Sequence, residues 1–342
     1  MFKDKKILIT GGTGSLGQAL TKRLLDLDVN TVRIFSRNEN KQIEMESSVN
    51  DSRLRFLLGD VRDLHRLEKA MEDIDIVFHA AALKHVPKIE YNPFEAIQTN
   101  VVGSQNVIEA SISNNVEKSI CVGTDKAVSP ANTYGATKLL MERLFVAAQN
   151  YINLEKNKTR FIALRYGNVF GSSGSVFQKF LEKIKNNEKI PITDPQMTRF
   201  TLTMDEALDF ILSSAELGHG SEIFVPKLKA YSIMDLKNSL KEIFKDNNIE
   251  EEIIGVREGE KLHELLLNTD EIPRTWDYKD RYIIEQFNLF TDSNIEKNYP
   301  GIKKLNSNLK SISSEDAEKL SIPELTDIIS NSGFLNSSSI FK

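Results

Sequence analysis

The sequence has a single cysteine, Cys121, and no long uncharged apolar run. One thiol excludes a disulfide framework, and it leaves the five histidines without the thiol partners of a structural zinc site, so no metal is expected. No window approaches the roughly 18 apolar residues that a membrane-spanning helix needs. We therefore expect a soluble protein of the reducing cytoplasm.

An excess of positive charge is also absent, since the formal net charge is -5. No cluster of lysine and arginine overrides this acidic balance, which argues against binding to nucleic acid or to a membrane surface. Any anionic ligand must then be held by a few local groups.

What the first half does contain is a regular alternation of short apolar runs with helical patterns. The runs are KILIT, TVRIFS, LRFLLGD, DIVFHAA, KSICVGT and FIALRYG. This alternation is typical of an α/β protein with a doubly wound, Rossmann-type parallel sheet. We assign residues 1–172 to a dinucleotide-binding domain that segments of the second half rejoin, 173–285 to a smaller substrate-binding lobe, and 286–342 to a tail with a last helix in SIPELTDIIS.

A glycine-rich stretch, GGTGSLG, lies between the first predicted strand and a helix, with Gly11, Gly14 and Gly17 spaced by three. Such glycines allow a tight turn and a close approach to a pyrophosphate, which the helix N-terminus attracts. An ordinary tight turn is the alternative. Further predicted cofactor contacts come from this loop and from the ends of later strands: Thr13, Ser15, Leu16, Asp60, Val61, Ala80, Ala81, Ala82 and Asn100.

The end of the second strand reads FSRNENK, without the acidic residue that commonly binds the ribose of NAD. Ser36, Arg37, Asn38 and Lys41 stand there instead, and the two cations would pair with a 2′-phosphate. The sequence therefore predicts NADP, with a solvated basic turn as the alternative. His79, in FHAAALKHVP, is expected to be a packed histidine.

Two short motifs carry candidate chemistry. In YGATK, Tyr134 and Lys138 are one helical turn apart, so the ammonium and an oxidised nicotinamide would bring the pKa of the phenol toward neutrality. In TDK, Thr124 would orient the reacting hydroxyl, while Asp125 and Lys126 supply a proton donor and a proton acceptor. We expect burial to raise the pKa of Asp125 and nearby positive charge to lower that of Lys126. A packed tyrosine and a surface ion pair are the alternatives.

Over residues 3–285 the sequence resembles the inverting UDP-N-acetylglucosamine 4,6-dehydratases that begin pseudaminic acid biosynthesis, in the polysaccharide-biosynthesis branch of the extended short-chain dehydrogenases. The resemblance rests on GGTGSLG, FSRNENKQ, GDVRDL, FHAAALKHVPKIEYNPFEAIQTN, TDKAVSPANTYGATK, RYGNVFGSSGSV, ITDPQMTRF, EIFVPK and VREGEKLHE. Leu16, His85 and Ser173 depart from residues common in relatives, and the Ser173 change bears on the substrate pocket.

The resemblance implies that Tyr134 deprotonates the C4 hydroxyl as hydride passes to NADP, Lys126 removes the C5 proton and Asp125 protonates the departing C6 hydroxyl. Hydride then returns at C6, so the cofactor is recycled and stays tightly bound, and the reaction is formally that of a lyase. It also implies a homo-oligomer, a hexamer or a dimer. The residues it assigns to the UDP-sugar are Lys84, which also contacts the cofactor, Asn168, Ser175, Val176, Arg199, Arg257 and Glu260.

Three other functions stay open. A nucleotide-sugar 4-epimerase would share the cofactor and Tyr134, but its reaction would not need Asp125 and Lys126 as acid and base. A dehydratase that also epimerises the sugar, for capsule or O-antigen, would use the same residues. A noncatalytic NADP-binding regulator would keep the glycine loop, yet it would not need the intact Thr124, Tyr134 and Lys138.

Overall fold

The computed structural model describes residues 1–153, 155–172, 174–245, 249–285 and 295–332. Ser173, whose substitution bears on the sugar, lies outside these residues. The strands are β1 Lys6–Thr10, β2 Thr31–Ser36, β3 Leu54–Leu58, β4 Ile76–His79, β5 Lys118–Val122, β6 Arg160–Leu164, β7 Asn168–Val169, β8 Ile190–Ile192, β9 Thr198–Leu202, β10 Glu222–Pro226, β11 Ala230–Ser232, β12 Glu251–Ile253, β13 Leu265–Leu267, β14 Thr275–Tyr278, β15 Arg281–Glu285, β16 Lys303–Lys304 and β17 Ile312–Ser313.

Helices lie between most of these strands. They are α1 Ser15–Leu25, α2 Glu39–Val49, α3 Leu64–Met71, α4 Val86–Tyr91, α5 Pro93–Ala96, α6 Gly103–Ser113, α7 Thr133–Ala148, α8 Val176–Lys185, α9 Met204–Leu217, α10 Ile233–Phe244, α11 Ile295–Asn298 and α12 Ile322–Asn331. A π-helical stretch, Ile97–Val102, leads into α6, and a single 3-10 turn, Asp125–Ala127, follows β5. In the part of the chain described above, no helix is both long and apolar enough to cross a membrane.

The main sheet has the strand order β16-β14-β15-β10-β6-β5-β4-β1-β2-β3. From β3 to β10 every pairing is parallel, whereas β15, β14 and β16 join in antiparallel fashion. The chain moves outward from β1 to β3 and then returns to β4 on the other side of β1. This reversal opens a crevice at the carboxyl ends of β1 and β4, where doubly wound sheets bind ligands.

Apolar side chains pack on both faces of this sheet. One cluster includes Leu20 and Leu24 of α1 with Ile211 of α9, and the other includes Leu67 of α3 and Met141 of α7. These five side chains are fully buried, as expected for a sheet covered by helices on each side. The predicted doubly wound α/β fold is thus confirmed.

A third apolar cluster forms the smaller lobe. It joins Phe177 of α8 and Leu236 of α10 to Leu325 of α12. The predicted last helix is therefore present, and Ser321 and Glu324 close its N-terminus with reciprocal hydrogen bonds, as in a capping box. The lobe places its residues over the carboxyl ends of the main strands, so that a cavity lies between the two.

Candidate active site

A cavity of about 1570 Å³ follows the carboxyl ends of β1, β2, β4, β5 and β6 and continues under the smaller lobe. Pockets for a single drug-sized ligand are roughly 300–1,000 Å³, so this cavity has room for a dinucleotide and a second ligand. Its described lining has nine lysine and arginine side chains against six carboxylates. The cavity therefore has a local excess of positive charge that can attract an anionic ligand, although the protein as a whole is acidic.

The glycine loop forms one end of the cavity. Gly11 has a φ of +71°, and a Cβ built there would lie 2.9 Å from the Ala81 backbone. The backbones of β1 and the β4 end approach closely because this position has no side chain. Helix α1 begins at Ser15 with its N-terminus at the cavity, and no side chain caps it. The loop has the form of a pyrophosphate cradle.

The basic turn after β2 lies beside this loop. Arg37 is half exposed, and its Nη1 lies 3.6 Å from Asp60 Oδ2. Asp60 already accepts two hydrogen bonds from the Arg62 guanidinium, at 2.7 and 3.0 Å. The Asn38 side chain caps α2 by accepting from the Lys41 amide, which fixes the turn. Arg37 and Lys41 line the cavity where a 2′-phosphate would be expected.

The proposed acid and base lie in the turn after β5. Asp125 Oδ1 accepts hydrogen bonds from Thr124 Oγ1 at 2.9 Å and from Lys126 Nζ at 2.8 Å. Lys126 Nζ also donates to Asn168 Oδ1 at 2.8 Å. Asp125 is fully buried, and its Oδ2 accepts no hydrogen bond from the described residues. The three residues of TDK thus form one connected hydrogen-bonded unit.

The pKa shift has the expected direction for Asp125 and the opposite direction for Lys126. Burial raises the pKa of Asp125 more than the Lys126 ammonium lowers it. Burial acts to lower the pKa of Lys126, but the charges of Asp125 and Glu264 outweigh it and raise that pKa. The expected lowering was wrong because two carboxylates, the adjacent Asp125 first and then Glu264 from a distant segment, lie against the ammonium.

Tyr134 is brought to the same place by α7. Gly135 makes this possible, since a Cβ there would lie 2.4 Å from the Lys126 carbonyl oxygen. Burial raises the pKa of Tyr134 to about 12, although Lys126 opposes the rise. Lys138 Nζ donates to the Val122 carbonyl at 2.9 Å and lies 3.0 Å from Met141 Sδ. The protein's own charges therefore do not by themselves bring the phenol toward neutrality, and the expected effect of an oxidised nicotinamide stays a prediction.

Almost all of the predicted site residues line the cavity; Asn100 and Asp125 do not. Asn100 is fully buried, and its amide group bonds to the backbone N–H and carbonyl of Leu83 and to Thr137 Oγ1. It therefore holds the loop that carries Lys84 against α7. Asp125 reaches the cavity only through Thr124 and Lys126. The lining residues predicted from the sequence are Gly11, Thr13, Gly14, Ser15, Leu16, Gly17, Ser36, Arg37, Asn38, Lys41, Asp60, Val61, Ala80, Ala81, Ala82, Lys84, Thr124, Lys126, Tyr134, Lys138, Asn168, Ser175, Val176, Arg199, Arg257 and Glu260.

The two arginines assigned to the UDP group differ in their surroundings. Arg199 is tied down, because its Nη1 donates to the carbonyls of Thr198 and Leu262. Arg257 is half exposed, and its only close carboxylate among the described residues is Glu260, 4.0 Å away. Arg257 is therefore the more available of the two for a phosphate, while Arg199 contributes its charge from a fixed place.

Among the lining residues that the sequence analysis did not assign, Glu264 lies against the proposed base. Glu264 is the last residue of VREGEKLHE and directly precedes β13, and its Oε1 lies 3.6 Å from Lys126 Nζ. The motif itself was noticed, but neither spacing nor composition shows that its last glutamate returns to the turn after β5. No group of three potential metal ligands was found among the described residues.

Comparison with known proteins gives consistent matches. The family model described as polysaccharide biosynthesis protein matches residues 7–286. The chain is 48% identical over 294 residues to the inverting UDP-N-acetylglucosamine 4,6-dehydratase of Campylobacter jejuni, covering 85% of this chain and 86% of that one. It is 41% identical to a UDP-glucose 4-epimerase of Rickettsia bellii, covering 97% of each chain. The solved structure of Pen from Bacillus thuringiensis is 38% identical, with a TM-score of 0.87 over 97% of this chain and 98% of that one.

Proposed function

The chain belongs to the polysaccharide biosynthesis protein family, and from this premise we propose that it catalyses the NADP-dependent 4,6-dehydration of UDP-N-acetylglucosamine with inversion at C5. The product would be UDP-2-acetamido-2,6-dideoxy-β-L-arabino-hex-4-ulose, the first intermediate of pseudaminic acid biosynthesis, and the enzyme a cytoplasmic hydro-lyase. The similarity to the Campylobacter jejuni dehydratase supports this function. The observation that carries it is the hydrogen-bonded Asp125–Lys126 pair next to Tyr134.

The proposed reaction has two parts, an oxidation at C4 and an elimination of water across C5 and C6. When bound, the nicotinamide ring supplies reversible hydride transfer, so the cofactor is regenerated in each cycle. Tyr134 takes the proton of the C4 hydroxyl, and the positive charge of an oxidised ring would lower a phenol pKa that the protein alone holds at about 12. Lys84 and Lys138 line the cavity close to this reaction.

Elimination then uses the turn after β5. Lys126 takes the C5 proton, which the neighbouring C4 ketone makes acidic, and Asp125 gives a proton to the C6 hydroxyl, which leaves as water. Asp125 lies behind the cavity wall, so its proton reaches the hydroxyl through Thr124 Oγ1 or Lys126 Nζ, both bonded to Asp125 Oδ1. To complete the product, C6 would receive back the hydride that was removed from C4, and protonation of C5 from the opposite face inverts that centre.

A UDP-sugar 4-epimerase is the second candidate, because the Rickettsia bellii relative carries that name. Epimerisation needs Tyr134 and the cofactor but neither an acid nor a base at C5 and C6. Incubation with UDP-N-acetylglucosamine followed by alkali distinguishes the two, since a 4-keto product absorbs in the near ultraviolet and an epimer does not. We expect the absorbance to rise; its absence together with a new UDP-sugar would favour the epimerase.

NADP is the proposed form of the cofactor, because Arg37 and Lys41 line the cavity beside the end of β2. A charged hydrogen bond contributes about 1.5–3 kcal/mol, so Arg37→Ala should raise the Kd of NADP roughly ten- to a hundredfold. The Kd of NAD should stay nearly unchanged, and titration of the apoprotein with each nucleotide measures both. Equal weakening of NAD and NADP would contradict the assignment.

We also propose a homo-oligomer, a hexamer or a dimer. The support is an exposed apolar surface on α4 and α5, where Tyr91 is 86% and Phe94 64% exposed. Single apolar side chains on a surface are common, but two large aromatic residues this close together suit an interface better. Sedimentation velocity of the purified protein measures the state, and a monomer at micromolar concentration would contradict the proposal.

A further inference from the structure

Glu264 is a buried carboxylate in the wall of the candidate active site. It is 5% exposed and lines the cavity. Its Oε1 lies 3.6 Å from Lys126 Nζ and 3.9 Å from Arg199 Nε. Its Oε2 is also buried, and among the described residues nothing donates a hydrogen bond to it. A buried, unsatisfied carboxylate oxygen destabilises a fold by about 1–3 kcal/mol or more, so stability alone does not explain this residue.

The backbone of Glu264 is held firmly. Its N–H donates to Ser314 Oγ at 2.9 Å, and the Ser314 N–H donates back to its carbonyl at 2.8 Å. Ser314 Oγ is also 2.8 Å from Thr198 Oγ1. Two residues further on, the Leu266 carbonyl accepts from the buried Arg165 guanidinium. The carboxylate therefore approaches Lys126 from a fixed support.

Charged and titratable groups surround this carboxylate from several segments. Burial acts to raise the pKa of Glu264, but the charges of Lys126, Arg199 and Lys261 outweigh it and keep the side chain ionised. The resulting negative charge acts to raise the pKa values of both Asp125 and Lys126. The titratable groups that act on Lys126, or are acted on by it, are Lys84, Asp125, Tyr134, Arg199, Tyr231, Lys261 and Glu264.

We infer that Glu264 is a positioning residue for the elimination step, whose carboxylate holds the Lys126 side chain at the cavity beside Asp125. The inference rests on the proposed dehydration. A negative charge beside the acid disfavours its ionised form, and the same charge stabilises the ammonium that forms when Lys126 takes the C5 proton. One carboxylate thereby supports both the donor and the acceptor of the elimination.

The test is Glu264→Gln, which keeps the shape and removes the charge. Dehydration should slow by about tenfold or more, since general acid and base catalysis contribute about 10²–10⁴-fold. Both limbs of the pH–rate profile should move to lower pH, because losing a nearby negative charge lowers the proton affinity of Asp125 and of Lys126 alike. Oxidation at C4, followed as cofactor reduction in the first turnover, should change much less.

Two further variants separate this role from a structural one. Glu222→Gln removes a buried carboxylate at the amino-terminal end of β10, where it accepts from Tyr299 Oη; it should lower stability and leave the pH profile in place. Glu264→Asp keeps the charge but shortens the side chain, so it should slow dehydration without moving the limbs, and it serves also if Glu264→Gln does not fold.

The outcomes distinguish the inference from the function on which it rests. If the wild-type protein dehydrates the sugar and Glu264→Gln shows the same rate and the same pH profile, Glu264 is not a positioning residue although the proposed function stands. A wild-type rate in Glu264→Asp would equally overturn the positioning role. If the wild-type protein returns only an epimer with C6 intact, both the function and the inference are wrong.

Discussion

At the residue scale, Lys126 is the side chain on which the chemistry depends. Its Nζ donates to Asp125 and to Asn168 and has Glu264 as a third neighbour. This environment favours the ammonium, yet a base must be neutral when it takes the C5 proton. The Asp125 carboxyl has a raised pKa, and its Oδ1 lies 2.8 Å from Lys126 Nζ. A proton can therefore pass from Lys126 to Asp125, which leaves Asp125 protonated as the acid and Lys126 neutral as the base.

Lys126→Ala tests this dependence. We expect dehydration to fall by about 10²–10⁴-fold, the range for loss of a general base, while NADP stays bound because Lys126 is not part of the glycine loop or the basic turn. Turnover by NMR and cofactor retained through gel filtration measure the two effects. Lys22→Ala, at an exposed lysine of α1, is the matched control and should behave as wild type. Unchanged turnover in Lys126→Ala would remove it as the base.

The sequence predicted most of the residues that line this cavity, but it did not predict all of their pKa shifts. The burial of Asp125 follows from its place after a buried strand, and so its raised pKa was predictable. For Lys126 the expected direction was wrong, because the charge of the adjacent Asp125, and after it that of Glu264, which meets Lys126 only through tertiary packing, outweigh burial. For Tyr134 the helical spacing to Lys138 was correct, but the ammonium turns to the Val122 carbonyl instead.

At the element scale, the junction of α7 with the turn after β5 aligns the phenol with the acid and base. Asn132 caps α7 by accepting from the Gly135 N–H and donates to the Gly259 carbonyl of the smaller lobe. The helix is thus tied to both sides of the cavity. Its N-terminal Asn could be predicted from sequence as a cap, whereas the bond to Gly259 could not, since it depends on how the lobe folds back.

Gly135→Ala tests the closeness of this junction. The added Cβ would meet the Lys126 carbonyl oxygen at 2.4 Å, so helix or turn must shift. Overpacking of this kind costs about 1–3 kcal/mol, and a displacement of about 1 Å can lower turnover roughly a hundredfold. Ala147→Ser, on the exposed side of the same helix, should change neither. Thermal unfolding and turnover measure both effects; wild-type values for Gly135→Ala would contradict the close approach.

The long strands and helices were predicted well, and the short ones were not. Alternating apolar runs gave β1 to β6, because each of these strands is long enough to show its burial in the sequence. Strands β7, β12, β16 and β17 have two or three residues, too few for any periodicity. The π-helical stretch Ile97–Val102 reads as ordinary helix, since its composition differs little from that of α6.

At the scale of the whole molecule, a buried ionic network joins the main sheet to the segment that carries Glu264. Arg165, at the end of β6, is fully buried between Glu142 and Glu271, with contacts of 2.7 and 2.8 Å, and it also donates to the Leu266 carbonyl. A charged pair in such a place is retained only when its hydrogen bonds are complete. The network therefore fixes where the second half of the chain meets the first.

Arg165→Met should destabilise the protein strongly. Removing one partner of a buried ion pair costs about 3–5 kcal/mol, because the remaining carboxylates stay buried without compensation. The free energy of unfolding in urea measures the effect. Arg23→Met, which breaks an exposed pair with Asp205, should cost no more than about 1 kcal/mol. Similar losses in the two variants would show that the Arg165 network is no stronger than a surface pair.

The most direct measurement is proton NMR of the purified protein with UDP-N-acetylglucosamine in deuterated water, following C5, C6 and the ring configuration. The account predicts a 4-keto-6-deoxy sugar with deuterium at C5 and the L-arabino configuration. A xylo product would keep the elimination and remove the inversion. A galacto epimer with C6 untouched would contradict the central claim that Asp125 and Lys126 eliminate water.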